Sequence, residues 1–322
     1  MIELFHMQTE RIEKLDLTET QKTKNWLSPS RGTVWLRCTE PSQEDIKALS
    51  EITTIPEDDL KGAIEENERS KVSVEKHIEI IFSVPVQEGN EIVTRPIYVY
   101  AIGNIVVTAE KKPINTLNQL SSALLENKRK FLFKKPSVYF IFYILDKMNG
   151  EFLFYIDKLS LKIEIFKNRG ALSKQNIDRI YDTSLTLSYF NQSLIANIEV
   201  LNELRKSYFK IFEQEDREHF TELYYDALQI LDTEKIQREV LSNLLNMQSI
   251  ITSNELNQFM KVVAFVALFS TMPMLITSIF SMNILHTPIV EGPYAFYIII
   301  AILASSAILS YTLFKLFTKK WQ

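Results

Sequence analysis

Apolar and polar residues are mixed through most of the chain, but Val262–Phe280 runs 19 residues without a charge and Tyr294–Phe314 another 21. As a helix, each is long enough to cross the roughly 30 Å of hydrocarbon in a bilayer. Upstream, Thr33–Cys38 (TVWLRC) is β-branched and aromatic and reads as a strand. Glu40-Pro41-Ser42 with Glu44 and Asp45 then marks a helix start leading into Ile46 and Leu49. Val74–Val86 and Ile97–Thr108, rich in Val, Ile, Tyr and Phe, read as paired strands interrupted by Gln87–Arg95 with its Glu-Gly-Asn turn. From Ala171 to Met272 there is neither Gly nor Pro, and Leu194, Ile198, Leu201 and Leu204 recur at helical spacing, so this region is long helices. The last begins near Asp232-Thr233-Glu234 or earlier and has no stop before the first apolar stretch. Taking Glu234 to Phe280 as one helix gives roughly 70 Å, twice what a bilayer needs. The pattern predicts an α/β domain with a mixed sheet and helices, a long stalk helix and two C-terminal transmembrane helices.

Charge sets the orientation. Of a net charge of −4, residues 261–322 hold Lys261, Lys315, Lys319 and Lys320 against Glu291, or +3, which leaves −7 for residues 1–260. An acidic soluble part argues against general nucleic-acid binding. The segment Ser281–Pro293 between the apolar stretches has no Lys or Arg. The positive-inside rule therefore puts that segment outside and both termini in the cytoplasm, as an integral protein of the cytoplasmic (inner) membrane. The start, MIELFHMQTERIEK, has no uninterrupted apolar run, so no cleavable signal is read there. A single Cys and four His exclude a zinc cluster and a thiol catalytic site. No phosphate-cradling Gly loop, nucleophile elbow or metalloprotease helix occurs, so no enzyme and no cofactor are expected.

Two spans cannot enclose a water-filled path, so conduction requires several copies around an axis, each contributing one helix. Ile250, Ser253, Asn257, Met260, Ala264, Ala267, Thr271, Met274, Ser278 and Ser281 are spaced alternately three and four, the seam of a supercoiled bundle. Their side chains are mostly small, hydroxylic, amide or thioether, as the wall of a narrow pore for a hydrated cation would be. Val262, Val263, Phe265, Val266, Leu268 and Phe269 between them suit lipid and the second span. The alternative is that the small-residue stripe packs on the second span itself.

Ser253-Asn254-x-Leu256-Asn257-x-x-Met260-Lys261, then Pro273-x-Leu275-Ile276 and Ser281-Met282-Asn283, resembles the membrane end of CorA-type magnesium channels. Trp35-Leu36 before Glu40-Pro41-Ser42, and Glu68-Arg69-Ser70-Lys71-Val72, agree with that family's soluble part. The resemblance implies a funnel-shaped homopentamer that passively conducts a divalent cation, magnesium first, with the bilayer and further copies of itself as partners. It places Ser281, Met282 and Asn283 in an outer selectivity loop and Asn257, Met260, Thr271 and Met274 on the pore, beside Ala264, Ala267 and Ser278 of the same stripe. It divides the chain into a cytoplasmic α/β domain (1–170), long helices with the lower stalk (171–260), a pore helix (261–280), an outer loop (281–293), a second span (294–317) and a basic tail (318–322).

Two departures from the family pattern follow. Ser281 stands where the family has Gly, a residue that reaches backbone conformations costly to others. The family's regulatory carboxylates fall on Gly62 and Asn246, neither of which offers magnesium an anionic oxygen, so that metal site is expected to be absent. Glu57, Asp58, Asp59, Glu65 and Glu66 read as a solvated acidic face or as replacements for it. Lys128, Arg129, Lys130, Lys134 and Lys135 put five cations in eight residues, either a solvated charge run or a patch for a phosphate, a nucleotide regulator or an anionic lipid. His286 and Glu291 in the outer loop add at most a weak attraction for cations. Relatives of this scaffold associated with type III CRISPR defence answer a nucleotide messenger, which makes a signal-gated membrane effector the alternative function. A nonconducting membrane anchor is the third.

Overall fold

The computed structural model describes residues 1–8, 10–16, 32–65, 69–89, 91–168, 174–206, 209, 211–282 and 293–319. Strands β1 (Ile2–Gln8), β2 (Arg11–Asp16), β3 (Val34–Thr39), β4 (Lys71–Val74), β5 (Ile78–Glu88), β6 (Glu91–Ile102) and β7 (Ile105–Glu110) form one sheet in the order β2-β1-β3-β7-β6-β5-β4. Every pairing is antiparallel except β3–β7, so the sheet is mixed. Its helices are α1 (Gln43–Thr53), α2 (Glu57–Glu65), α3 (Asn115–Leu125), α4 (Ser137–Asn168), α5 (Lys174–Leu204), α6 (Gln214–Ser281) and α7 (Ala295–Lys319).

The pleat sorts side chains to two cores. Leu36, Cys38, Ile81, Tyr98, Tyr100 and Val107 pack with Ile46 and Leu49 of α1 and Leu60 and Ala63 of α2. Trp35, Ile80, Phe82, Ile97, Val99 and Val106 face the opposite way, onto Leu117 of α3, Phe140 and Ile144 of α4, Leu201 of α5 and Phe220 of α6. The sheet is therefore covered on both faces. The Ser42 signal is realised as a capping box: Asp45 N donates to Ser42 Oγ (3.2 Å) and Ser42 N to Asp45 Oδ2 (3.0 Å).

Three expectations change. Ile97–Thr108 is two strands, because Gly103 at φ +57° turns the chain between β6 and β7. The Gln87–Arg95 interruption shrinks to the gap between Glu88 and Glu91, since polar residues continue β5 and β6 on an exposed end. There Arg95 (2.9 Å) and Lys112 (2.9 Å) grip Glu88 and hold its carboxyl down at about 2. Strands β1 and β2, not read from the pattern, pair antiparallel at the sheet edge, where the charged Arg11, Glu13 and Lys14 guard against further pairing. The long helix α6 takes the earlier start that the pattern allowed, at Gln214, where Glu213 N donates to Asp216 Oδ2 (3.0 Å). The Asp232-Thr233-Glu234 start signal falls inside it: Asp232 pairs with Lys235 (3.4 Å), and Glu234 is buried.

A side chain far away in sequence ties α5 to the sheet. Asn197, fully buried, accepts from Ser83 N (2.8 Å) and Ser70 Oγ (3.0 Å) and donates to Ser83 O (2.8 Å). Its amide serves as a strand partner for β5 just past the end of β4. Each polar group it satisfies would cost about 1–3 kcal/mol if left bare.

The chain divides into two units, Met1–Asn243 with the sheet and Leu244–Gln322.

Candidate functional site

α6 is long and apolar enough to cross a membrane, and none of the residues of its apolar stretch is buried. A shorter apolar stretch, Phe296–Thr312, lies in α7. Each helix has one partly shielded face. On α6 it is Phe265, Pro273, Ile276 and Phe280, and on α7 it is Ile299, Ile302, Leu303, Ser306, Ala307 and Ser310. Pro273 lacks an N–H to continue the helix ladder, and it sits on the shielded side.

The stripe from Ile250 to Ser281 is exposed throughout, Met274 by 67%. At roughly 100° per residue, Asn257, Met260, Ala264, Ala267, Thr271, Met274 and Ser278 centre about 180° from the shielded face. The small-residue stripe is therefore not the surface that α6 offers to the rest of its own unit. Among the described residues of this unit, none covers the stripe.

The stripe's hydroxyls have a defined polarity. Thr271 Oγ1 donates to Ala267 O (2.6 Å) and Ser281 Oγ to Ser278 O (2.8 Å). With their protons used inside the helix, both present lone pairs outward. A hydrated cation turns water hydrogens outward, so acceptors are what it needs. Ser281 is the last residue of α6, is absent from the residues of left-handed backbone, and so does not require glycine's freedom. Met282 follows, exposed, its N–H on Ile279 O (3.3 Å). Asn283, His286 and Glu291 lie outside the described residues.

The two positions that would carry regulatory acids differ in setting. Gly62 is buried in α2 between Leu60 and Ala63, where a carboxylate would lose its water, and Asn246 is exposed on α6. Of the nearby acids, Asp58 bonds Lys61 (2.6 Å), which lowers its pKa, and Asp59 lies 3.6 Å from His77. Among the described residues no three His, Cys, Asp or Glu group together as a metal site. Glu66 is outside the described residues.

The basic run starts just past the end of α3. It occupies the turn after α3 and a 3-10 helix, Lys130–Lys134, anchored by buried Leu132 and Phe133. Lys128 pairs with Glu126 (2.6 Å), Lys130 (3.4 Å) and Lys134 (2.6 Å) share Glu10, and Lys135 lies over the Tyr139 ring. Glu10, in the β1–β2 turn, is held below the usual carboxylate range, chiefly by its hydrogen bond from Lys134. It escaped the sequence reading because nothing local links it to residues some 120 positions on.

A family model described as "CorA-like Mg2+ transporter protein" matches residues 30–316. The cobalt/magnesium transport protein CorA of Methanocaldococcus jannaschii is 28% identical over 273 residues, 84% of this chain and 86% of that protein. The protein of the same name from Thermotoga maritima is 21% identical over 326 residues, 99% and 92% of the two. The complete structure of the CorA magnesium transporter from M. jannaschii superposes with a TM-score of 0.87 at 25% identity, covering 98% of this chain and 97% of that one. With the mixed sheet, the long helix and the apolar C-terminal helices all matched along nearly the whole length, this chain belongs to the family of CorA-like magnesium transporter proteins.

Proposed function

We propose that the chain is a homopentameric channel that passively conducts a divalent cation, magnesium by default. Both termini lie in the cytoplasm, and five α6 helices surround the path. The observation that carries this reading is the exposed stripe Asn257, Met260, Ala264, Ala267, Thr271, Met274 and Ser278, about 180° from the face shielded within the unit. A lone α6 would turn these small and polar groups to lipid, where their hydrogen-bonding capacity goes unused. Five copies would instead turn them to a common axis. The ion passes largely hydrated, its waters donating to lone pairs such as those of Thr271 and Ser281, which is milder than stripping magnesium of water it releases reluctantly. Ser281, Met282 and Asn283 form the outer mouth, with one Asn283 amide per copy as the polar ring.

The reading is tested by reconstituting the protein in liposomes loaded with a magnesium dye. Asn283→Ala is expected to abolish uptake or let calcium in as readily as magnesium. Unchanged rate and selectivity would remove Asn283 from the mouth.

Gating differs from the family pattern in this reading. Gly62 and Asn246 supply no carboxylate for magnesium to bridge, and a ligand that binds two states equally shifts neither. Millimolar magnesium is therefore expected to change the protease resistance of residues 1–243 little. Strong magnesium protection in limited proteolysis would mean that other acids, Asp58 or Glu65 first, have taken over the site.

A further inference from the structure

The basic turn at 128–135 has no part in conduction as described above. We infer that it is a binding site for a phosphate-bearing anion, with Glu10 as an internal carboxylate that the ligand displaces.

The turn is rigid where it needs to be. Asn127 adopts a left-handed conformation (φ +57°), and its Oδ1 accepts from Ile12 N (3.1 Å), locking the turn to the edge strand β2. On the other side Thr33 N donates to Phe133 O (3.1 Å) and Thr33 Oγ1 to Lys135 O (2.7 Å). Gly32 passes so close that a Cβ there would lie 2.4 Å from Phe133 O. With Leu132 and Phe133 buried, the cations on either side project from a fixed backbone rather than a frayed end.

Charge is concentrated here against the trend of the chain. Arg11, Lys128, Arg129, Lys130, Lys134 and Lys135 are all exposed, in a protein of net charge −4. Glu10 and Glu126 are the carboxylates that pair with them, and among the described residues Arg129 and Arg11 carry no ion pair. Glu10 is a single negative charge shared by two lysines, on a residue at φ +69°, a conformation a non-glycine residue seldom takes. Exposed pairs of this kind exchange at little cost. A phosphate brings more charge and three acceptor oxygens to the same two lysines, and it can engage Arg129 as well. Beside the turn, Asn115, Asn118, Gln119 and Ser122 of α3 line an open groove that ends on Glu126 and Lys128, offering neutral hydrogen bonds to whatever carries the phosphate.

The phosphate could belong to a soluble anion or to a lipid headgroup, and two arms separate them. In one, the full-length protein in phosphatidylcholine nanodiscs is titrated with tripolyphosphate. In the other, phosphatidylglycerol is added to the nanodisc and no tripolyphosphate is present. Both are read by amide hydrogen exchange of residues 126–135 and, in the first, by calorimetry. Saturable protection in the first arm assigns the site to a soluble anion, and protection in the second alone assigns it to the headgroup. In the responding arm, Glu10→Gln is expected to tighten binding about fivefold by removing the competitor. Lys134→Glu is expected to weaken it about tenfold or more, whereas Lys47→Glu, the same charge change on an exposed lysine of α1, should leave it nearly unaltered. No protection in either arm, no effect of Glu10→Gln, or equal weakening by Lys47→Glu overturns the proposal.

Discussion

Thr271→Val should cut magnesium flux into liposomes by about a hundredfold, while Thr277→Val leaves it within a small factor. Valine keeps the shape of threonine and removes only the hydroxyl. Both hydroxyls donate inside the helix, Thr271 to Ala267 O and Thr277 to Met274 O (2.9 Å), so the intrahelical loss is the same for the two variants. They differ in direction. Thr271 lies on the exposed stripe, and Thr277 projects about 100° away from its centre. If five copies present the stripe to an ion, Thr271→Val deletes five acceptors at one level of the path. At about 0.5–1.5 kcal/mol each, these amount to at least about 2.5 kcal/mol, close to a hundredfold in rate. Equal effects of the two substitutions would show that flux does not depend on which side of α6 carries the hydroxyl.

Arg37→Met should destabilise the sheet-bearing unit by about 3–5 kcal/mol, the usual cost of removing one member of a buried ion pair. Arg37 on β3 is 3% exposed, and Glu110 at the end of β7 is 1% exposed. Arg37 Nε donates to Glu110 Oε1 (2.7 Å), and its second nitrogen reaches both Glu110 and Asn118 Oδ1 of α3 (2.7 Å). The carboxylate also accepts from Ile114 N (2.9 Å) and Thr39 Oγ1 (3.2 Å). Removing Glu110 as well recovers only part of the loss, because Ile114 N would then be buried without an acceptor. The pH dependence has a definite sign. Burial raises the Glu110 carboxyl above its ordinary range despite the pull of Arg37. A carboxyl raised on folding favours the native state below its unfolded value, about 4.3, and that contribution is lost as pH climbs through the folded value. Without Arg37 the rise is larger, so the deficit of the variant should be greatest near neutral pH and shrink toward pH 5. Thermal unfolding of the detergent-solubilised protein at both pH values, followed by tryptophan fluorescence, measures it. A deficit that grows on acidification would show that Glu110 is not the group left behind.

What the sequence made legible was local. The two uncharged stretches, the strand at Thr33–Cys38 and the cap at Ser42 each depend on neighbouring residues, and each appears where the pattern puts it. The spacing of the small residues on α6 was equally plain, but not what faces them. Small residues suit a pore wall and a packed contact between membrane helices alike, so periodicity alone could not tell a free stripe from a packed one. Three-dimensional shielding of Phe265, Pro273, Ile276 and Phe280 separates them. Long-range pairings were hidden for the same reason. Asn197 completes β5 from 114 positions away, and Glu10 meets Lys134 from 124 away. The cap-like Asp232-Thr233-Glu234 left the start of α6 open, because a capping signature is also an ordinary run within a helix once Glu234 is buried against Asn191 of α5 (2.7 Å).

Conduction along α6 requires that several copies close around one axis, and subunit number is the quantity on which the proposed channel stands or falls. Native mass spectrometry of the full chain released from detergent micelles measures it in one spectrum. The expected result is a single dominant species of five copies that persists at submicromolar protein; a stable monomer or dimer would leave the exposed stripe with no axis to line and would contradict the channel.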